Sequence, residues 1–310
     1  MVQSEMLDFF KTKAKEEADT IVLSDKKRGE LTLKECLADC GIEDCSSVTT
    51  QRLDVSANIK MFHRFDNFND SYNPFGANDI RTVFMKTDNH IGGRFFAEVL
   101  RDVVFRRLLE KEGNESIEPR LSIYGRSKSE WDALAKWVIG HRVLSVDADG
   151  HLVDKVKWMV QIPRLCNVFM GSAYGSFDEL LQNIFQPMFE ATVDPESHPE
   201  LHTFLCHVGA LDCVDDESIK DPLIIAFGDS AVAPSKYTKR SNPPYSYWCY
   251  HLYANLFVLN RLREARGLNT IAFKPHAGES GQRHHCASAY LLADSINHGI
   301  KLRESPVLEY

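Results

Sequence analysis

From residue 119 onward, short apolar runs of strand length alternate with longer helical patterns, and this alternation constrains the fold more than any other feature. The segments 119–124 (PRLSIY), 156–162 (VKWMVQI), 205–214, 270–274 (TIAFK) and 295–300 read as strands. Helical patterns fill the intervals over 128–141, up to 192, over 245–266 and over 281–293, with Gly267 stopping the third. Strands separated by helices pair in parallel through crossovers, so the fold class is α/β. Doubly wound sheets and (β/α)8 barrels share this pattern. Neither a G-x-G-x-x-G after a strand nor a G-x-x-x-x-G-K-[ST] occurs, so no dinucleotide or P-loop nucleotide site is signalled. In a barrel, chemistry sits where strands end and loops begin.

Upstream, residues 1–19 place Met6, Phe9 and Phe10 among charges at helical spacing. A short β-type run follows at 20–23, then a helix over 31–40 ended by Gly41. Further helices are expected over 78–88 and 94–112. Between these elements, 64–76 (RFDNFNDSYNPFG) interleaves aromatics with Asn and Asp. That is loop chemistry, in a loop either pinned to a core or built to hold a ligand. Residues 222–239 read as an irregular surface excursion.

The 310 residues carry a net charge of −8, which argues against general binding to nucleic acid or a membrane surface. A hydrophobic share of 44% against 26% charged excludes wholesale disorder. The first residues lack the basic start and apolar core of a secretory signal. No apolar run approaches the roughly 20 residues that span a bilayer. The expectation is a soluble, cytoplasmic protein. Eight cysteines without a C-x-x-C pair disfavour a thiolate zinc site and read as reduced, buried small hydrophobes.

The strongest local signal for chemistry is 270–282 (TIAFKPHAGESGQ). An apolar strand ends at Lys274 and Pro275, and His276 and Glu279 follow around a glycine that permits a tight turn. An imidazole is a natural zinc ligand, and a carboxylate beside a metal site can shuttle a proton. Spacing alone favours a His bonded to a backbone carbonyl and a Glu on a first helical turn. His298 stands at the next strand end, where it could orient or deprotonate a water, or else close a helix before Gly299. His284 and His285 point about 100° apart on a helix and read as surface or rim residues. The acids Asp215, Asp216 and Glu217 follow a strand end, where they could bind a ligand, and two of the three are expected at a solvated helix N-terminus. Arg120, Arg126, Arg64 and Lys60 are the anion contacts to consider, although isolated cations are usually surface residues.

Several long blocks, in one order along essentially the whole chain, resemble the AMP deaminase family of metal-dependent hydrolases. They are FHRFDNFNDSYNPFG (62–76), KTDN (86–89), PRLSIYGRS (119–127), QIPRL (161–165), VDDES (214–218), YANLFVLNRLRE (253–264), KPHAGESG (274–281) and HGIKLRESPVLEY (298–310). The resemblance implies a (β/α)8 barrel that hydrolyses AMP to IMP and ammonia with one Zn2+ ion, within purine nucleotide metabolism. It implies His276 as a zinc ligand, Glu279 as the residue that protonates the purine ring and contacts the substrate, and His298 as the base that handles the attacking water. Asn67, Phe68, Asn69, Asp70, Ser71 and Tyr72 match the substrate-binding stretch. AMP is then the partner, in a homo-oligomer.

Two departures accompany the resemblance. The family's substrate loop usually carries lysines where this chain has Asn67 and Ser71, which should weaken the hold on a phosphate; Arg64 matches the family and offsets the loss. The family's H-x-H pair and D-D-P stretch, which supply the other zinc ligands, do not occur in the 310 residues. About five strands are read where barrel closure needs eight. The expectation is one partial catalytic domain over 1–310, an incomplete barrel without its first and last strands, with the substrate loop at 62–76 and strands two to six in 117–310. Such a chain would be inactive alone. The alternative is a non-catalytic family member that binds a purine nucleotide or a full-length deaminase subunit.

Overall fold

The alternation after residue 119 folds into a parallel sheet. The computed structural model describes residues 3–49, 79–106, 108, 116–144, 155–221 and 232–309. The chain divides into two compact units, Met1–Glu115 with Trp137–Lys155, and Ser116–Lys136 with Val156–Tyr310.

In the first unit, helix α1 (Gln3–Glu16) precedes an antiparallel hairpin of β1 (Ile21–Asp25) and β2 (Gly29–Thr32), then α2 (Leu33–Asp39). The helix expected from 31 starts later because Thr32 caps it. The Thr32 hydroxyl accepts from the Glu35 amide, and the Glu35 carboxylate accepts from the Thr32 amide. Helices α3 (Asp79–Met85) and α4 (Arg94–Glu98) follow, and α4 passes into a π-helical stretch over Val99–Phe105 within the expected helix 94–112. Phe84 lies between Phe10 and Phe95, with ring centroids at 5.3 and 5.1 Å, and centres a core that includes Met6, Val22, Leu33 and Val83. Beside it, the Lys13 ammonium bridges Glu17 and Glu98 at 2.7 and 2.6 Å, and Arg94 pairs with the same two carboxylates.

The second unit carries strands β3 (Arg120–Ser122), β4 (Trp158–Pro163), β5 (Val208–Val214) and β6 (Ala272–Phe273), all parallel and in sequential order. Gln161 stands opposite Asp212 in the register of β4 and β5. These two strands are buried along most of their length, as strands covered on both faces are. Helix α5 (Ser129–Gly140) runs between β3 and β4 in the chain. Helices α6 (Phe177–Val193) and α7 (Pro199–Leu205) lie between β4 and β5, and the long α8 (Tyr245–Ala265) between β5 and β6. Ser176 caps α6 through the Glu179 amide. A second parallel pair joins β7 (His276–Ala277) to β8 (Asn297–His298), with α9 (His284–Leu292) between them. The five expected strand segments all contain strands, and β7 adds one that apolar patterning did not show.

Cys36, Cys166, Cys213, Cys249 and Cys286 are buried as expected, and every cysteine is a free thiol. No helix among the described residues is long and apolar enough to cross a membrane. The loop 62–76, with Arg64 and the stretch from Asn67 to Tyr72, lies outside the described residues. So do residues 222–231 of the expected surface excursion; past them only one helical turn, Pro234–Lys236, forms before α8.

The ion network of the first unit makes a pH prediction. Hydrogen bonding from Arg94, opposed by partial burial and helped by Lys13, lowers the Glu17 carboxyl from an ordinary 4.5 to about 2. Its stabilising contribution is therefore complete above pH 4.5 and is lost as the pH falls toward 2. Replacing Glu17 by Gln should cost on the order of 1 kcal/mol at neutral pH. The thermal midpoint of the variant should also fall less steeply than the parent's between pH 4.5 and 2.

Candidate active site

The site is built at the ends of neighbouring parallel strands. Strand β5 is apolar except for Asp212, whose side chain is fully buried. One oxygen of this carboxylate accepts from the His276 backbone amide at 3.0 Å and lies 2.8 Å from the His276 Nδ1. Its other oxygen accepts from Gln161 on β4 at 3.0 Å, with the Arg120 guanidinium 3.7 Å away. A carboxylate only accepts, so Nδ1 carries the proton and Nε2 the lone pair. The His276 carbonyl in turn accepts from the Tyr245 hydroxyl at 2.6 Å. The imidazole is thus fixed from both ends of its own residue.

Pairing of β7 with β8 sets Ala277 beside His298. The His298 backbone is left-handed, with φ of 74°, a conformation a non-glycine residue holds at a cost. Its ring centroid lies 4.7 Å from that of His276, and its Nε2 stands 3.5 Å from the Glu279 Oε2. One nitrogen or oxygen from each of His276, Glu279 and His298 lies within 4.8 Å of the others. The three residues singled out at the strand ends therefore converge. Neither bland alternative holds for the two histidines: His276 meets a carboxylate rather than a carbonyl, and His298 ends a strand rather than a helix. Glu279 sits in the turn ahead of α9, not on its first turn.

That turn is held by a carboxylate. Glu217, 1% exposed, accepts from the Gly278 amide at 2.7 Å and from the Glu279 amide at 3.2 Å. The acids at 215–217 were expected mostly at a solvated helix N-terminus, and the structure corrects this. No helix starts there, Glu217 is buried, and the buried Asp215 is clamped by Arg164 through Nε at 2.8 Å and Nη2. Asp216 accepts from the Ser218 amide in a local turn. The Arg164 guanidinium also donates to Asp221 at 2.8 Å, and Asp221 accepts from the Tyr245 amide at 2.6 Å.

A second correction concerns His285, read as a rim residue but 1% exposed. It stacks on Tyr245 with centroids 4.0 Å apart and planes 13° off parallel. Its Nδ1 lies 3.4 Å from Glu217 and its Nε2 3.6 Å from Asp221. Burial opposes charge on this ring, yet the two carboxylates outweigh it and push the pKa up to about 9. His284 keeps a quarter of its side-chain surface. Of the basic residues considered, Arg120 reaches Asn297 at 3.1 Å beside the site, whereas Arg126 pairs with Glu130 and covers Tyr124.

Asp212 and Tyr245 were not singled out from the sequence, and Glu217 was named only among the acids that follow the third strand. A lone Asp in an otherwise apolar strand was the available signal for Asp212. Nothing local marked Tyr245.

A family model described as AMP deaminase matches residues 1–310. The chain is similar to AMP deaminase 3 of Mus musculus, at 42% identity over 100% of this chain and 39% of the mouse protein. It is similar to the AMP deaminase of Dictyostelium discoideum at 43% identity, over 100% of this chain and 37% of that protein. AMP deaminase 1 of Rattus norvegicus is 42% identical over 100% of this chain and 40% of its own length. The chain spans about two fifths of the length of these relatives.

Close packing of the turn makes it intolerant of side chains. A Cβ on Gly281, whose φ is 65°, would stand 1.6 Å from the Glu217 carbonyl oxygen. The substitution Gly281→Ala should therefore destabilise the protein by about 2 kcal/mol or more, read by urea denaturation. Gly267→Ala provides the control, because its left-handed φ of 69° meets no atom within 4 Å.

Proposed function

The chain belongs to the AMP deaminase family, and from that premise we propose that it contributes to a site that hydrolyses AMP to IMP and ammonia. The observation that carries this reading is the convergence of His276, Glu279 and His298 at the ends of adjacent strands, within 4.8 Å of one another. Sequential parallel strands with helices between them support a (β/α)8-type barrel, of which these strands form part. The residues at 62–76 would supply AMP contacts from Asn67, Phe68, Asn69, Asp70, Ser71 and Tyr72, with Arg64 offsetting the absent lysines.

His276 fits a zinc ligand. Asp212 fixes its tautomer, and a carboxylate behind an imidazole is the usual outer partner of a metal-binding histidine. Zinc, when bound, lowers the pKa of water and polarises it for attack at C6 of the purine. Glu279, 9% exposed at its side chain, would hold the proton delivered to the purine ring nitrogen. His298 would take the proton from the attacking water, and its 3.5 Å approach to Glu279 supports an acid and a base acting side by side. Asp212 and Tyr245 orient His276, and Glu217 holds the turn that presents Glu279.

A catalytic zinc usually has three protein ligands. Since neither H-x-H nor D-D-P occurs in these 310 residues, the chain by itself is expected to release no ammonia from AMP. The test is a polypeptide that joins this chain to such segments, read from the flanking coding DNA. It should release ammonia from AMP with zinc. Glu279→Gln should lower kcat by roughly 10²-fold or more, and Asp212→Ala should weaken zinc about 10- to 100-fold. Unchanged kcat in Glu279→Gln would remove that residue from the proton transfer. Nucleotide binding without ammonia release would favour the non-catalytic reading.

A further inference from the structure

We infer that Asp221, His284 and His285 form a second divalent-cation site of zinc type, sharing no ligand with His276, Glu279 and His298. One donor atom from each of the three lies within 4.8 Å of the others. The Asp221 Oδ2 stands 3.6 Å from His284 Nε2 and 3.6 Å from His285 Nε2. Metal bonds of about 2.0–2.2 Å to nitrogen and oxygen give tetrahedral edges of about 3.3–3.6 Å, so both separations match two edges of such a site. They are too long for hydrogen bonds. The imidazole rings stand 88° to each other, with centroids 4.7 Å apart.

Three further observations favour an ion here. The Nε2 of His284 and both ring nitrogens of His285 are buried without a hydrogen-bond partner. Buried polar atoms are rarely left so, and a metal with a water would satisfy two of these three. Next, Arg164, the one guanidinium paired in this cluster among the described residues, faces the carboxylates of Asp215 and Asp221, with Glu217 on the far side of His285. Three carboxylates thus face one guanidinium; without a metal the His285 imidazolium offsets one of the two remaining negative charges, and a divalent ion that displaces its proton would offset both. Last, the Nδ1 of His285 lies 3.4 Å from the Glu217 carboxylate, which would accept from it and orient the ring once Nε2 holds a metal. The N-terminus of α9 weakly disfavours a cation, and the carboxylates outweigh it.

Two imidazoles and one carboxylate select a borderline transition ion such as zinc over magnesium or calcium, which take oxygen ligands. The ion would tie the segment after β5 to the start of α9. Glu217 would relay that bracing, since it orients His285 and also accepts from the Gly278 and Glu279 amides. The role is structural, and the inference does not depend on the deaminase reading.

Cobalt(II) titration of the chelator-treated chain, followed by visible absorption, tests the site. The variant His276→Ala/His298→Ala should still take up one cobalt per chain. Adding His284→Ala or Asp221→Asn to it should weaken that uptake at least tenfold, with far-ultraviolet circular dichroism unchanged. Loss of all uptake in His276→Ala/His298→Ala would overturn the site. Unaltered uptake after both added substitutions, or none in the parent, would overturn it too. Equal single uptake by the parent and by His276→Ala/His298→Ala would leave this site standing while removing His276 as a ligand in this chain.

Discussion

The Asp212 carboxylate is the interaction on which the site depends. A fully buried anion on a sheet strand is unfavourable unless its oxygens are used. Here one oxygen takes both the backbone and the ring N–H of His276, and the other takes the Gln161 amide. This does two things at once. It stitches β7 to β5 where regular strand pairing has stopped after β6, and it decides which nitrogen of His276 is left with a lone pair. The tautomer of His276 and the local path of the chain have one cause.

Glu217 works in the same way on the next stretch of chain. Two amides of the HAGE turn point into the interior, where no regular strand can accept from them, and the carboxylate takes both. Arg164 holds the neighbouring Asp215 and Asp221, and Asp221 receives the amide that begins α8. Thus the turn carrying Glu279, the long helix carrying Tyr245 and the loop after β5 share one buried polar network. Such networks are rigid when fully satisfied. The unsatisfied nitrogens in this one belong to His284 and His285.

Much of the architecture was legible because it is repeated. Each parallel strand lies in a segment read as apolar and followed by a helical pattern; β3, β5 and β6 lie inside their expected segments, and β4 passes the end of its segment by Pro163. Local chemistry explains the boundary errors: Thr32 delays α2 by capping it, and α4 passes into a π-helical stretch after Glu98. His276, Glu279 and His298 were legible because strand ends are marked by Pro275, Gly278 and Gly299. Burial was not. Adjacent histidines and a run of three acids look solvated in a sequence, since charge and polarity suggest water. What makes Glu217 and His285 interior is the stacking of Tyr245 and the fold of the HAGE turn, contacts between segments distant in sequence.

The left-handed backbone of His298 shows how the precision of the site is distributed. A residue with a Cβ adopts that conformation only where its surroundings over-determine it. Here the Asn297 amide reaches back to the Pro275 carbonyl at 2.9 Å, and the Gly299 amide to the Ala277 carbonyl at 3.0 Å, so the chain is held on both sides of His298. These bonds carry no chemistry. They set the His298 ring against His276 and Glu279 without a rigid regular strand of useful length, because β7 and β8 have only two residues each. Three side chains from two short strands and a turn meet within a few ångströms because backbone amides, not the functional groups themselves, meet the cost of placing them.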